Sequence, residues 1–328
     1  MKILILDSRQ VRELLPMPEC IELMADSLAA LTRGEVFQPL RTIARPPEAR
    51  GLLGLMPAYR SGEHGAFGLK AICVFPGNPA QGKDAHQGAV MLFSRETGEL
   101  LALMNASEIT AIRTAAVSAV ATRLLAREDA AQLAIIGAGV QARTHLTALA
   151  CVRPIKHARV ACQNIEHAQQ LALEMQPKFS FPIEPVWTNE EAVRGADLIV
   201  TATSSLEPVI NKDWISPGAH VNAIGTHSPN SREVDSGTMG VARIFVDRRE
   251  STINESGDYL LAAKEGVVTP ESIIAEIGEL LIGAKAGRSS ASEITLFKSL
   301  GLAIEDVACA DYLFKKATTE NTGSWVNW

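Results

Sequence analysis

The stretch Leu133-Ala134-Ile135-Ile136-Gly137-Ala138-Gly139-Val140-Gln141-Ala142 carries chemistry in its spacing. An apolar strand runs into a Gly-x-Gly-x-x-Ala turn and then into a helix. Gly137 suits the tight turn, Gly139 lets the backbone approach a pyrophosphate, and Ala142 allows close helix-on-strand packing. The free N–H groups and positive dipole end of the helix face the phosphates. Such a motif alone is an ordinary turn. Here it follows a strand, opens a helix and sits in an alternating strand–helix pattern, which points to a dinucleotide.

An acidic residue about twenty positions on would select a free ribose 2′-hydroxyl. The next strand ends instead Val160-Ala161-Cys162-Gln163-Asn164, with no carboxylate and no arginine at its tip. Gln163 and Asn164 can hydrogen-bond either ribose form, so NADH and NADPH both stay open as cofactors. Glu166 falls into the following helix. Thr201-Ala202-Thr203-Ser204 follows a later strand of the same kind, where ligands bind at the carboxyl ends, making Thr203 and Ser204 cofactor candidates. Lys70 is conspicuous for another reason. It lies between Leu69 and Ala71 in an apolar strand, and burying an unpaired ammonium is costly, so it must face solvent or a site.

These residues need elements to hold them. Residues 2–6 read as a strand, with Asp7 or Ser8 capping a short helix. A second helix runs from Pro18 to Arg33, with Ile21, Met24, Leu28 and Leu31 on one face and Gly34 as its stop. Short apolar runs follow at 40–45, 52–59, 67–74, 89–94 and 100–105, with Thr97-Gly98 as a hairpin turn, giving an antiparallel or mixed sheet. An alanine-rich helix spans 107–126. Strands at 132–136, 158–162, 184–187, 197–202, 219–224 and 242–246, with 294–298 as a last candidate, alternate with helices and loops. That pattern specifies a doubly wound parallel sheet, so the fold class is α/β: a Rossmann sheet plus a second α/β domain. A closing helix covers 302–317. The tail 318–328 is polar apart from its tryptophans and reads as mobile or pinned at an interface.

Composition agrees and excludes some classes. Of 328 residues 47% are hydrophobic and only 5% aromatic, an aliphatic core suited to α/β layers. The net charge is −6 with no basic stripe, which argues against nucleic acid as a partner. The N-terminal apolar stretch is too short for a signal peptide or a membrane span. The five cysteines have no metal-binding spacing and read as buried thiols of a cytoplasmic protein. His64, His86, His145, His157, His167 and His220 read as structural. Glu255-Ser256-Gly257-Asp258 reads as a turn after a helix, with Gly257 as the stop.

Several stretches together carry a resemblance. They are Gln38-Pro39-Leu40-Arg41-Thr42, Gly51-Leu52-Leu53-Gly54-Leu55-Met56-Pro57-Ala58-Tyr59, Gly68-Leu69-Lys70, Ile112-Arg113-Thr114-Ala115-Ala116, the Gly137 turn, Val221-Asn222-Ala223-Ile224-Gly225, Glu255-Ser256-Gly257-Asp258 and Thr295-Leu296-Phe297-Lys298-Ser299-Leu300-Gly301. Over nearly the whole chain the sequence resembles the ornithine cyclodeaminase/mu-crystallin family, and its N-terminal stretches are closer to the mu-crystallin-like ketimine reductases. The resemblance implies a substrate-binding and dimerisation domain from residues 1–118 and 302–328, a nicotinamide-binding Rossmann domain at 119–301, and a homodimer paired through the first domain's sheet. It implies that Arg41, Lys70 and Arg113 hold a substrate carboxylate beside Met56, and that Lys70 and His227 are catalytic. It also implies that Thr114 contacts a cofactor phosphate, with Ile224 and Ser299 near the cofactor.

The departures from the cyclodeaminases bear on the reaction. Those enzymes carry an aspartate two residues past the glycine of the Ile224-Gly225 segment, where this chain has His227. They carry a glutamate in the Met-Pro segment, where this chain has Gly54. Both changes remove carboxylates that would receive an amino group. The expectation is NADH- or NADPH-dependent reduction of a cyclic ketimine carboxylate, best assigned as Δ1-pyrroline-2-carboxylate to L-proline. The alternatives are ornithine cyclodeamination, alanine dehydrogenation or a non-catalytic crystallin-like carrier.

Overall fold

The structure, a computed structural model, describes residues 2–62 and 65–328. His64 therefore lies outside the described residues. The chain divides into two compact units, 1–114 with 301–328, and 115–300. The first boundary falls inside a helix, after Thr114 rather than after residue 118. Among the described residues no helix is long and apolar enough to cross a membrane.

The first unit begins with β1 (Lys2–Leu6), α1 (Ser8–Leu14) and α2 (Met17–Thr32). Asp7 caps α1 by accepting from the Gln10 N–H, and Gln10 returns the bond in a capping box. Ile21, Met24 and Leu28 of α2 are buried, as their spacing predicts. Then come β2 (Val36–Phe37), β3 (Thr42–Ala44), β4 (Leu52–Arg60), β5 (Ala66–Val74), β6 (His86–Phe93) and β7 (Leu100–Asn105), leading into α3 (Ala106–Leu125). With β16 at Ser324–Asn327, the sheet order is β16-β1-β7-β6-β5-β4-β2, with β3 also on β4. It is mixed: β1 runs parallel to β7 and the remaining pairs are antiparallel.

Two features of this sheet matter for the site. The row Met56–Lys70–Val90–Met104–Leu6 crosses five strands and is buried on the face that α11 (Ala303–Glu320) covers. The intervening row Pro57–Leu69–Met91–Leu103–Ile5 faces the other way, as the pleat requires. That second face is apolar too, and Phe67 on it is 49% exposed.

The tail differs from its expectation. Ser324–Asn327 forms β16, pairing antiparallel with β1, and the Trp325 ring lies 6.2 Å from that of Phe314 on α11. The polar composition hid a strand whose stability comes from the edge it covers. Of the cysteines, Cys20 and Cys309 are buried as expected, but Cys73 and Cys162 are half-buried and Cys151 is exposed.

The second unit contains β8 (Gln132–Ile136), α4 (Val140–Ala150), β9 (His157–Ala161), α5 (Ile165–Met175), β10 (Ile183–Pro185), α6 (Asn189–Val193), β11 (Leu198–Thr201), β12 (His220–Ala223), α7 (Ser236–Val241), β13 (Arg243–Val246), α8 (Arg249–Glu255), α9 (Gly257–Lys264), β14 (Ile273–Glu276), α10 (Ile277–Leu281) and β15 (Thr295–Lys298). Its eight strands are all parallel, in the order β10-β9-β8-β11-β12-β15-β13-β14. The order reverses between β8 and β11, the doubly wound switch point. β14 was not foreseen, and β15, late in the chain, inserts between β12 and β13.

The β16 cover yields a prediction. A chain ending at Glu320 leaves β1 as an open edge and removes a four-residue ladder. At about 1 kcal/mol per net hydrogen bond the loss is roughly 2–4 kcal/mol, so the melting temperature should fall by roughly 4–12 °C with aggregation on heating. An unchanged melting curve and no added light scattering would contradict it.

Candidate active site

The first unit gathers the sequence-predicted cations around one buried point. The pleat of β5 turns Lys70 onto the α11 face, where it is 2% exposed. Its ammonium pairs with Asp306 at 2.6 Å and donates to Thr110 Oγ1 at 3.4 Å. Arg113, on the same helix as Thr110, donates from Nη1 to Glu305 Oε2 at 2.7 Å and from Nε to Asp306 Oδ1 at 3.2 Å. Arg41 donates to the Gly301 carbonyl at 3.0 Å, just before α11. Gln38 fastens the same segment by accepting from the Ile304 N–H at 2.9 Å. Met56 is Lys70's cross-strand neighbour.

The electrostatics follow from this packing. Burial lowers Lys70 to about 8; Asp306 opposes that shift and Arg113 adds to it. Burial also works against the Arg113 charge, yet Asp306 and Glu305 outweigh it and raise its pKa. Arg113 is thus already engaged by two carboxylates, a point the expectation of a simple carboxylate clamp lacked. His86, expected to be structural, also belongs to this neighbourhood. Burial lowers its pKa, and the Lys70 and Arg113 charges lower it further.

The second unit holds the predicted dinucleotide turn. Gly137 has φ +119°, closed to ordinary side chains, and a Cβ there would collide with the Ala202 carbonyl. Gly139 caps α4 with no side-chain bond, and a Cβ added to it would meet nothing within 4 Å. The backbone at the start of α4 is therefore approachable on the Gly139 side. Val140 is exposed, the Gln141 Oε1 is buried without a partner, and Ala142 is fully buried against the sheet. This cradle fits a pyrophosphate. His145 is locked beneath it, bonded to the Gln141 carbonyl and Ser118 and lowered by burial to about 4. His220 is buried likewise on Thr295, and burial lowers it to about 3. Both are structural.

The other cofactor positions are mixed. Gln163 is exposed at the β9 tip, but Asn164 caps α5 by accepting from the Glu166 N–H at 3.0 Å, so its oxygen is already in use. Thr203 spends its hydroxyl and N–H on Glu233 Oε1, at 2.7 and 2.6 Å. Ser204 is exposed beside it, Ile224 and Ser299 are buried just past β12 and β15, and Thr114 is buried at the end of the first unit's part of α3. His227 is exposed on the loop after β12.

Beneath that loop lies a network the sequence reading missed. Glu233 Oε2 accepts from Thr201 Oγ1 at 2.9 Å and the Gly225 N–H at 2.7 Å. Asp258 accepts from the Glu233 and Val234 N–H groups at 2.7 and 3.0 Å and pairs with Lys298 at 2.8 Å. Lys298 also donates to the Thr226 carbonyl at 2.7 Å. Burial raises the Glu233 carboxyl. Burial opposes the Asp258 charge as well, but Lys298 and the backbone donors outweigh it and hold that carboxyl below its usual range. Gly257 follows the end of α8 at Glu255, as the turn reading expects, but no loop separates it from the next helix. It opens α9 under Ser256, whose side chain caps it, and a Cβ there would collide with the Ser231 carbonyl. The Ser256-Gly257-Asp258 run thus grips the His227 loop from below. The available signals were polar residues inside apolar runs: Lys298 in β15, and Glu305-Asp306 in the apolar start of α11.

The family model described as the ornithine cyclodeaminase/mu-crystallin family matches residues 1–321. The ketimine reductase mu-crystallin of Mus musculus is 39% identical over 281 residues, covering 86% of this chain and 85% of that one. The solved Δ1-pyrroline-2-carboxylate reductase of Thermococcus litoralis, in complex with NADH and L-proline, is 39% identical, superposes with a TM-score of 0.96 and is covered to 99%, against 98% of this chain. An archaeal alanine dehydrogenase dimer with bound NAD is 33% identical over the full length of both chains, with a TM-score of 0.93. From its turn, its cation cluster and these relatives, the chain belongs to the ornithine cyclodeaminase/mu-crystallin family.

Proposed function

We propose that this protein reduces a cyclic ketimine carboxylate, Δ1-pyrroline-2-carboxylate to L-proline, with NADH or NADPH. The observation that carries the reading is the gathering of Lys70 and Arg113, both buried, on one aspartate of the first unit, cations of the kind that hold a substrate carboxylate. Arg41 and Arg113 orient that carboxylate, the geometry guanidinium supports best. The Met56 row supplies an apolar wall for a ring. Gly54, on the same strand face as Met56, has Ile43 and Ile72 atoms 3.5 and 3.6 Å from where its Cβ would be, apolar company where a cyclodeaminase carries a carboxylate.

A bound nicotinamide supplies the hydride for the imine carbon, and the ring nitrogen must gain a proton. Lys70 near pH 8 is a competent donor, and the carboxylate and imine must be held still for the transfer. Because burial has lowered Lys70, its ammonium is present at neutral pH and is lost as pH rises through about 8. The kcat/KM for the imine should fall above that pH. Lys70→Met should lower kcat/KM by ~10²-fold or more and flatten this alkaline limb. Cofactor oxidation with Δ1-pyrroline-2-carboxylate is the assay. Ammonia release from ornithine, or faster turnover of pyruvate with ammonia, would move the assignment to a cyclodeaminase or an alanine dehydrogenase. Binding without turnover would leave a carrier.

His227 is the second proposed proton donor, acting directly or through one water. His227→Ala should lower turnover by up to ~10²-fold and remove one limb of the pH profile while leaving substrate affinity largely intact. Loss of affinity alone would assign it to binding.

The assembly we infer is a cytoplasmic homodimer. The five thiols are unpaired, as in a reducing compartment. The apolar row Pro57–Leu69–Met91–Leu103–Ile5, with exposed Phe67 beside it, is a contiguous patch of the kind that marks an interface. Light scattering at micromolar concentration should give twice the chain mass, and Met91→Glu should halve it. A monodisperse wild-type monomer would refute the dimer.

A further inference from the structure

The buried charges of the second unit do not balance. Glu233, Asp258 and Lys298 are each fully buried; Lys298 pairs with Asp258, while Glu233 is met by neutral donors. Each Glu233 oxygen faces one backbone N–H and one hydroxyl: Thr203 N and Oγ1 on Oε1, Gly225 N and Thr201 Oγ1 on Oε2. Burial raises the Glu233 carboxyl, but against it two backbone N–H groups, which can only donate, and the Thr203 hydroxyl bond favour the charged, acceptor-only form. Removing an uncompensated charge from water is costly, and such a charge is retained where something of opposite sign meets it.

Its place in the sheet says what that is. The bonds of the network end at Thr201 and Thr203, at Gly225 and Thr226, and at Lys298, the carboxyl ends of β11, β12 and β15. These neighbouring strands form the half of the sheet beyond the switch point. In a doubly wound sheet a dinucleotide lies across the carboxyl ends with one mononucleotide over each half. The pyrophosphate cradle at Gly137–Ala142 leads from β8, so the second nucleoside lies on the β11–β12–β15 side. On the reading above that nucleoside is nicotinamide riboside, whose ring is neutral when reduced and cationic when oxidised.

We propose that Glu233, with Asp258 and Lys298, is a positioning device that holds one net negative charge under the nicotinamide side and thereby favours the oxidised ring over the reduced one. The inference rests on the nicotinamide reading of the proposed function. Hydride departure with its electron pair leaves the ring cationic while the imine carbon gains the hydride and its nitrogen a proton, so the same charge favours reduction of the imine.

The test is an affinity ratio, measured on the full chain by calorimetry for NAD+ and by nicotinamide fluorescence for NADH. Glu233→Gln should weaken NAD+ binding about tenfold more than NADH binding, the effect of one unit charge acting across roughly 10 Å at an effective dielectric of roughly 20. Glu233→Asp, which keeps the charge, should preserve the ratio. Equal weakening of both forms by Glu233→Gln would mean a purely structural role and overturn the proposal. If the Gln variant does not fold, the wild-type chain decides. It should bind NAD+ about tenfold tighter than benzamide adenine dinucleotide, whose ring has the same shape without the charge, and equal affinities would overturn the inference. Failure of the wild type to bind any of these dinucleotides would instead remove the nicotinamide reading itself.

Discussion

The ion pair between Lys70 and Asp306 is the constraint on which the first unit depends. It joins the middle of a sheet to a helix more than two hundred residues later, and Arg113 bonds to the same aspartate from a third element. A lysine in a row of Met56, Val90 and Met104 would be prohibitive alone, and two carboxylates in the apolar start of α11 equally so. Each makes the other tolerable. Breaking such a pair by removing one member typically costs about 3–5 kcal/mol, because the remaining charge is stranded. The C-terminal helix is therefore held against the N-terminal sheet by electrostatics as well as by its apolar face. The segment bearing Arg41 is fastened to the same helix start through Gln38 and Gly301.

The same lysine shows how packing becomes chemistry. Burial removes hydration that stabilises the ammonium and brings its proton affinity toward neutrality, while Asp306 keeps the charged form accessible. A solvated lysine would be a weaker acid and a poorer discriminator of carboxylates. The second unit meets a comparable problem with opposite sign: Lys298 pairs with Asp258, and neutral donors at the strand exits meet Glu233. In both units the buried charges are tied to the backbone of the loops that bear candidate ligand-binding residues, so loop geometry and local potential come from one set of contacts.

Relatives with different named activities share this fold closely, so the fold by itself does not choose among them. The departures expected from the cyclodeaminases concern two positions on this frame. Gly54 leaves an apolar spot on the Lys70 face of β4, and His227 stands on a loop whose base is clamped by Glu233 and Asp258.

What could be read along the chain was whatever physics acts over a few residues. The alternation of strands and helices, the Asp7 cap, the Gly137 turn and its place in a parallel sheet were all legible, because periodicity, capping and a positive φ are local properties. So was Lys70, as an ammonium in an apolar strand, whereas Arg41 and Arg113 were singled out only by the family resemblance. Their partners were not legible. Asp306 and Glu305 look like ordinary first-turn acids of a helix, Glu233 and Asp258 like loop residues, and the tail like a polar end. Pairing between positions 70 and 306, between 233, 258 and 298, or between 2 and 327 depends on which elements the tertiary fold brings together. The insertion of β15 between β12 and β13 is of the same kind. A charge's partner, and thus its burial and proton affinity, is set by contacts distant in sequence, and only the folded chain decides them.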